Sequence, residues 1–152
     1  MDLKSILKHV AIGQMLPPQL KDNGAFSGNM YFDSAGCAGV LVLLTIGVTD
    51  AAMGSTSDST PPYLEECDTT NGTFTKITGS DLAAVVSATD DNKTIGWFVD
   101  RTKTRKRYLR INAPTAGDGS TGVNAAAIAI GFPENEIPIT AAAMGLKELV
   151  QV

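Results

Sequence analysis

Residues able to do chemistry are few in this chain and badly placed to do it together. His9 is the only histidine, so a Ser–His–Asp or Cys–His nucleophile pair would have to use it. It lies in an N-terminal stretch that Pro17-Pro18 prevents from continuing as a helix, whereas a catalytic imidazole needs a rigid element behind it. Cys37 and Cys67 are the two cysteines, too few for a disulfide framework. Together with His9 they lack ligand spacing and fall one short of a structural zinc site. Glu65 and Glu66 are adjacent on an extended segment, so their carboxylates point to opposite faces. Asp90-Asp91-Asn92 reads as a solvated turn, without the alternating acids and Gly of a calcium loop. The Gly117–Gly122 stretch has no Lys where a phosphate loop needs one and no helix start after it. The expectation is a protein that is not an enzyme, with no catalytic residue, metal ligand or cofactor site.

One charge feature remains. Arg101, Lys103, Arg105, Lys106, Arg107 and Arg110 make up half of the twelve basic residues and include every Arg. The rest of the chain is correspondingly acidic, and the net charge is −4. A basic turn of this kind fits a docking patch for an acidic protein surface, because the guanidinium fork binds carboxylates in pairs. Arg101, Lys103, Arg105, Lys106 and Arg107 are the candidate contacts. Arg110 is set apart because its place on a strand would pair it within the fold. Nucleic acid is a weaker partner, since only Tyr108 interleaves with the cations and the total charge is negative.

These residues must be held by a scaffold of 152 residues, 43% apolar and 18% charged. That is one domain with enough core to fold unaided, too apolar for disorder and too poor in charge for a coiled coil. No export signal is evident at Met1–His9, and the run Val40–Leu44 is far shorter than a membrane span. A soluble protein with no membrane partner is expected. Short extended candidates follow one another at Val10–Gly13, Asn29–Phe32, Val40–Val48, Tyr63–Cys67, Thr73–Ile77, Ile95–Asp100, Tyr108–Asn112 and Ala125–Phe132. Val40–Val48 is apolar on both faces and reads as a central strand, with Val40, Val42, Leu44, Ile46 and Val48 on one side. Asn71-Gly72 signals a hairpin. Ser80–Val86 suits a short capped helix or a strand equally well. The pattern predicts an all-β, antiparallel sandwich or barrel over residues 26–133, which the resemblances given below narrow to a jelly-roll-like β-sandwich. Residues 1–25 and 134–152 are expected as extended N- and C-terminal arms. The two-faced strand and the apolar tail Ile137–Val152 argue for a homo-oligomer.

The run Cys37–Gly47, the segment Leu64–Asp68 before Thr73–Ile77, and Lys106–Ile111 together resemble small tailed-phage structural proteins encoded near the major capsid protein, which decorate or cement the capsid. The likeness covers roughly residues 29–133. It implies a β-sandwich outside a capsid shell, usually dimeric or trimeric, with the major capsid protein as partner and the virion as location after assembly in the host cytoplasm. It carries no catalytic residues over. The Glu-rich hairpin, the Thr-Phe-Thr element and the Arg-Tyr-Leu-Arg-Ile strand also resemble discoidin-like jelly rolls. That second likeness implies a carbohydrate-binding module acting in attachment, which would need exposed aromatics.

Overall fold

A computed structural model describes residues 10–26, 30–49, 52–53, 61–83, 86–112, 122–133 and 146–152. Among the described residues nine strands are found: β1 (Ala11–Lys21), β2 (Phe32–Asp33), β3 (Gly39–Thr49), β4 (Leu64–Cys67), β5 (Thr75–Lys76), β6 (Thr94–Asp100), β7 (Tyr108–Ile111), β8 (Val123–Phe132) and β9 (Glu148–Gln151). They form a five-stranded sheet in the order β1-β8-β3-β6-β9 and a four-stranded sheet in the order β2-β7-β4-β5. All pairings are antiparallel except β6 with β9. The result is the expected all-β sandwich, with the chain passing back and forth between the two layers.

β3 is central, between β8 and β6. Val40, Val42, Leu44 and Ile46 are fully buried and face the smaller sheet with Trp97, Val99 and the small residues Ala127 and Ala129. Val48 was expected on the same side, but it is 57% exposed and Thr49 is buried in its place. A register shift between Ile46 and Thr49 is the cause: one extra residue reverses which face the following side chains reach.

The expectation of two extended arms is corrected for the described parts of those segments. Ala11–Lys21 is the edge strand of the larger sheet and buries Met15 and Leu16 completely. A bulge between Gln14 and Leu16 lets these consecutive residues both turn inward. Pro17-Pro18 fits because an edge strand can do without two ladder donors. Glu148–Gln151 closes the other edge, and Val152 donates to the Phe98 carbonyl. Residues 146–152 therefore have cover within the monomer, which withdraws that part of the argument for oligomers. Residues 1–9, including His9, and residues 134–145 lie outside the described residues.

Asn71-Gly72 does lie between paired strands, yet the ladder closes only at Glu66 opposite Thr75. The turn is wide, and the described positive-φ residues are Gly24, Gly36, Gly79 and Asn92. Gly72 serves by close approach: a Cβ there would lie 2.6 Å from the Cys67 Sγ. Ser80–Ala83 forms neither helix nor strand. Ser80 is buried and its Oγ accepts the Leu64 N–H at 3.0 Å, while its carbonyl accepts the Trp97 indole N–H at 2.7 Å. It thereby ties the loop to both sheets. Phe32 ties them again, its ring lying over Gly13 and Gly131 so closely that a Cβ would meet it at 2.8 and 3.0 Å respectively.

Candidate functional site

Residues 101–107 join β6 of the larger sheet to β7 of the smaller one. The turn opens with Asp100, whose carboxylate accepts the Thr102 N–H and hydroxyl at 2.9 and 2.6 Å. Those two bonds, with the fields of Lys103 and Arg105, hold the Asp100 carboxyl below the ordinary carboxylate range. Lys106 pegs the turn down. Its N–H donates to the Glu66 carboxylate at 3.0 Å, its Nζ donates to the Thr75 hydroxyl at 3.0 Å, and its carbonyl accepts from the Arg101 guanidinium. Short-range geometry of this kind leaves a turn little freedom to collapse onto the surface.

The five candidate cations take different parts in that geometry. Arg107 forms a bidentate pair with Asp33, Nε and Nη2 donating at 2.8 and 2.7 Å. The same hydrogen bonds are the main reason the Asp33 carboxyl sits below its ordinary value. Arg107 also lies over the Tyr108 ring, 5.1 Å from its centroid. Arg101 and Lys106 are half-buried; Arg101 donates inside the turn and the Lys106 ammonium donates across to β5. Lys103 is exposed, Arg105 is half-buried, and neither makes a hydrogen bond or ion pair among the described residues. Arg107 is thus the one of the five whose charge is met by a carboxylate, and Lys103 and Arg105 are the two whose side chains have no hydrogen-bonding commitment among the described residues. Arg110 pairs with Glu65 at 2.6 Å and covers the Phe74 ring at 4.1 Å, in keeping with its assignment to the fold.

The anchors of the turn, Asp33, Glu66 and Thr75, carry no local signal in the sequence. Asp33 is 74 positions from Arg107 and Glu66 is 40 from Lys106, and only the strand order brings them together. Glu65 and Glu66 do point apart, one to Arg110 and one to the turn.

Other candidates for chemistry fare as follows. Among the described residues no group of three or more His, Cys, Asp or Glu could hold a metal ion. Cys37 and Cys67 are both unbridged. Burial pushes the Cys37 thiol up, away from thiolate reactivity, and outweighs the nearby Arg101. Asp90 and Asp91 belong to a turn, with Asp91 accepting the Thr49 N–H at 2.7 Å. Trp97 is fully buried, whereas Tyr31 is 46% exposed with its ring edge-on to Tyr108. Among the described residues no helix is long and apolar enough to cross a membrane. Comparison with protein-family models, curated proteins and solved structures finds no match for this chain.

Proposed function

We propose that the protein is a non-enzymatic virion component that docks on the outside of a phage capsid and stabilises it by bridging capsid subunits. Its partners are then the major capsid protein and further copies of itself, and its place is the virion surface. The observation that carries this reading is the pegged basic turn, with Lys103 and Arg105 left unpaired while neighbouring Arg107, Arg110 and Lys106 are committed to the fold. A turn held by the fold presents its charge without a large ordering cost on binding. Acidic subunit surfaces supply the complementary carboxylates. The resemblance of Cys37–Gly47, Leu64–Asp68, Thr73–Ile77 and Lys106–Ile111 to capsid-decorating proteins supports the same reading. The mechanism is mechanical: each copy contributes a modest contact, and repetition over the shell adds avidity.

Co-sedimentation of the purified chain with cognate shells stripped of it tests the proposal. Saturable binding to shells is expected, with a glycan array giving no signal. Binding to sugars with none to shells would favour the carbohydrate-binding alternative, for which exposed Tyr31 is the nearest support.

A further inference from the structure

Two adjacent rows on the face of the five-stranded sheet turned away from the smaller sheet carry no charged side chain. One row runs Ile12, Ile130, Leu41, Phe98 and Gln151 across the five strands. The next runs Gln14, Ile128, Leu43, Gly96 and Leu149. Cover is uneven along them. On the β3–β6 side Leu41 and Phe98 are only 5% and 7% exposed, whereas towards the β1 edge Ile128 is 40% and Ile12 67% exposed.

The same open half carries both a groove and side chains able to fill one. A groove of about 190 Å³ lies between Pro18 and Gln19 of β1, Thr45 and Gly47 of β3, and Asn124 and Ala126 of β8. The groove is shallow and open to solvent, so an aliphatic side chain could lie along it without being enclosed. Leu20 and Val48, 61% and 57% exposed, stand next to residues that line it. Knob and socket on one patch is what a two-fold contact requires, since each copy offers the same surface to the other.

We infer that the open half-face on β1, β8 and β3 is the contact between two copies of this chain, with Leu20 of each seated in the groove of the other. The inference gives a surface to the self-association in the function proposed above and rests on that part of it. Charge favours a second copy over an acidic shell: these rows hold no cation to meet a carboxylate and no like charges to repel across an axis. Area agrees with a modest association. Ten residues each of β1 and β8, with the uncovered stretch Leu43–Val48 of β3, at about 3.4 Å per residue and strands about 4.8 Å apart, give roughly 400 Å² per copy, so about 850 Å² in all, the size of a weak and reversible contact.

Sedimentation velocity of the full chain, from low to high micromolar and with no shell present, is the test. A reversible monomer–dimer equilibrium is expected. Ile128→Glu places like charges across the axis and should weaken it by about a hundredfold. Leu20→Ser, neutral and at an exposed position, should weaken it by about tenfold, and the buried Trp97 fluorescence of each variant reports that it is folded. Lys103→Glu should leave it unchanged. A monomer throughout, a trimer, association indifferent to both face variants, or association lost in Lys103→Glu would each overturn the inference. Shells still bound by a strictly monomeric chain would remove this contact and leave the docking proposal standing.

Discussion

Replacing Ser80 by Ala removes one oxygen from the point where the loop after β5 meets both sheets. Ser80 is fully buried, and its Oγ accepts the Leu64 N–H at 3.0 Å while its hydroxyl donates to the Ile77 carbonyl at 2.8 Å. The consequences for donor and acceptor differ. The Ile77 carbonyl keeps the Ser80 backbone N–H at 3.2 Å, and the Trp97 indole bond goes to the Ser80 carbonyl, which the substitution spares. Only the Leu64 N–H is orphaned. One buried unsatisfied donor costs about 1–3 kcal/mol, and Ser and Ala are close enough in size that no cavity term is added. A loss of about 2 kcal/mol should lower the urea midpoint by roughly 1 M with the m-value unchanged. The melting temperature should fall by about 4–8 °C for a chain of this length. Trp97 fluorescence follows the transition, because the single Trp is fully buried and bonded to this loop. A midpoint shift under about 0.2 M would refute the reasoning, since it would mean that Leu64 finds another acceptor or that the loop is not seated as described.

Three further outcomes follow from the same geometry. Gly131→Val puts a side chain where Phe32 and Cys37 already stand, and should cost about 1–3 kcal/mol by overpacking, read as a lower urea midpoint. Asp33, Asp90 and Asp100 all sit below the ordinary carboxyl value of 3.8; burial pushes Asp90 up, but Lys147 and Ser87 outweigh it. Their stabilisation is therefore present above that value and lost as pH falls through the lower folded values, and Lys147→Met should shrink the acid-induced loss in a pH series of urea melts. Asp33→Ala breaks a pair whose side chains are about half exposed, so stability should change by less than about 1 kcal/mol, as a thermal melt will show.

The layered β architecture was legible because β3 carries apolar residues on both faces, a pattern that only a central strand can satisfy. The edges were not. Pro17-Pro18 argues against a ladder when read locally, and it is the neighbouring β8 that makes Ala11–Lys21 a strand. β9 has only four residues, ELVQ, and its parallel place beside β6 depends on a partner some fifty residues earlier. Ser80 was ambiguous because a buried Ser bonding two strands has the same sequence signature as a helix cap. At the candidate site the cluster was visible as charge, but its division was not. Which cations are committed is decided by Asp33 and Thr75, with Glu66 holding the Lys106 backbone, and strand order alone delivers those to the turn. Arg110 was separable in advance, because its place on a strand pointed to a partner within the fold, and the structure supplies that partner as Glu65.

The claim that the basic turn docks on a capsid is tested most directly by occupancy on depleted shells against salt, native chain beside the double variant Lys103→Glu, Arg105→Glu. Exposed pairs contribute about 0.2–1 kcal/mol each, and reversal turns attraction into repulsion, so the double change should cost about 1–4 kcal/mol per docked copy. Lower occupancy is expected for the variant at low salt, and native occupancy should fall as salt screens the contact. Equal occupancy with equal salt dependence would contradict that claim.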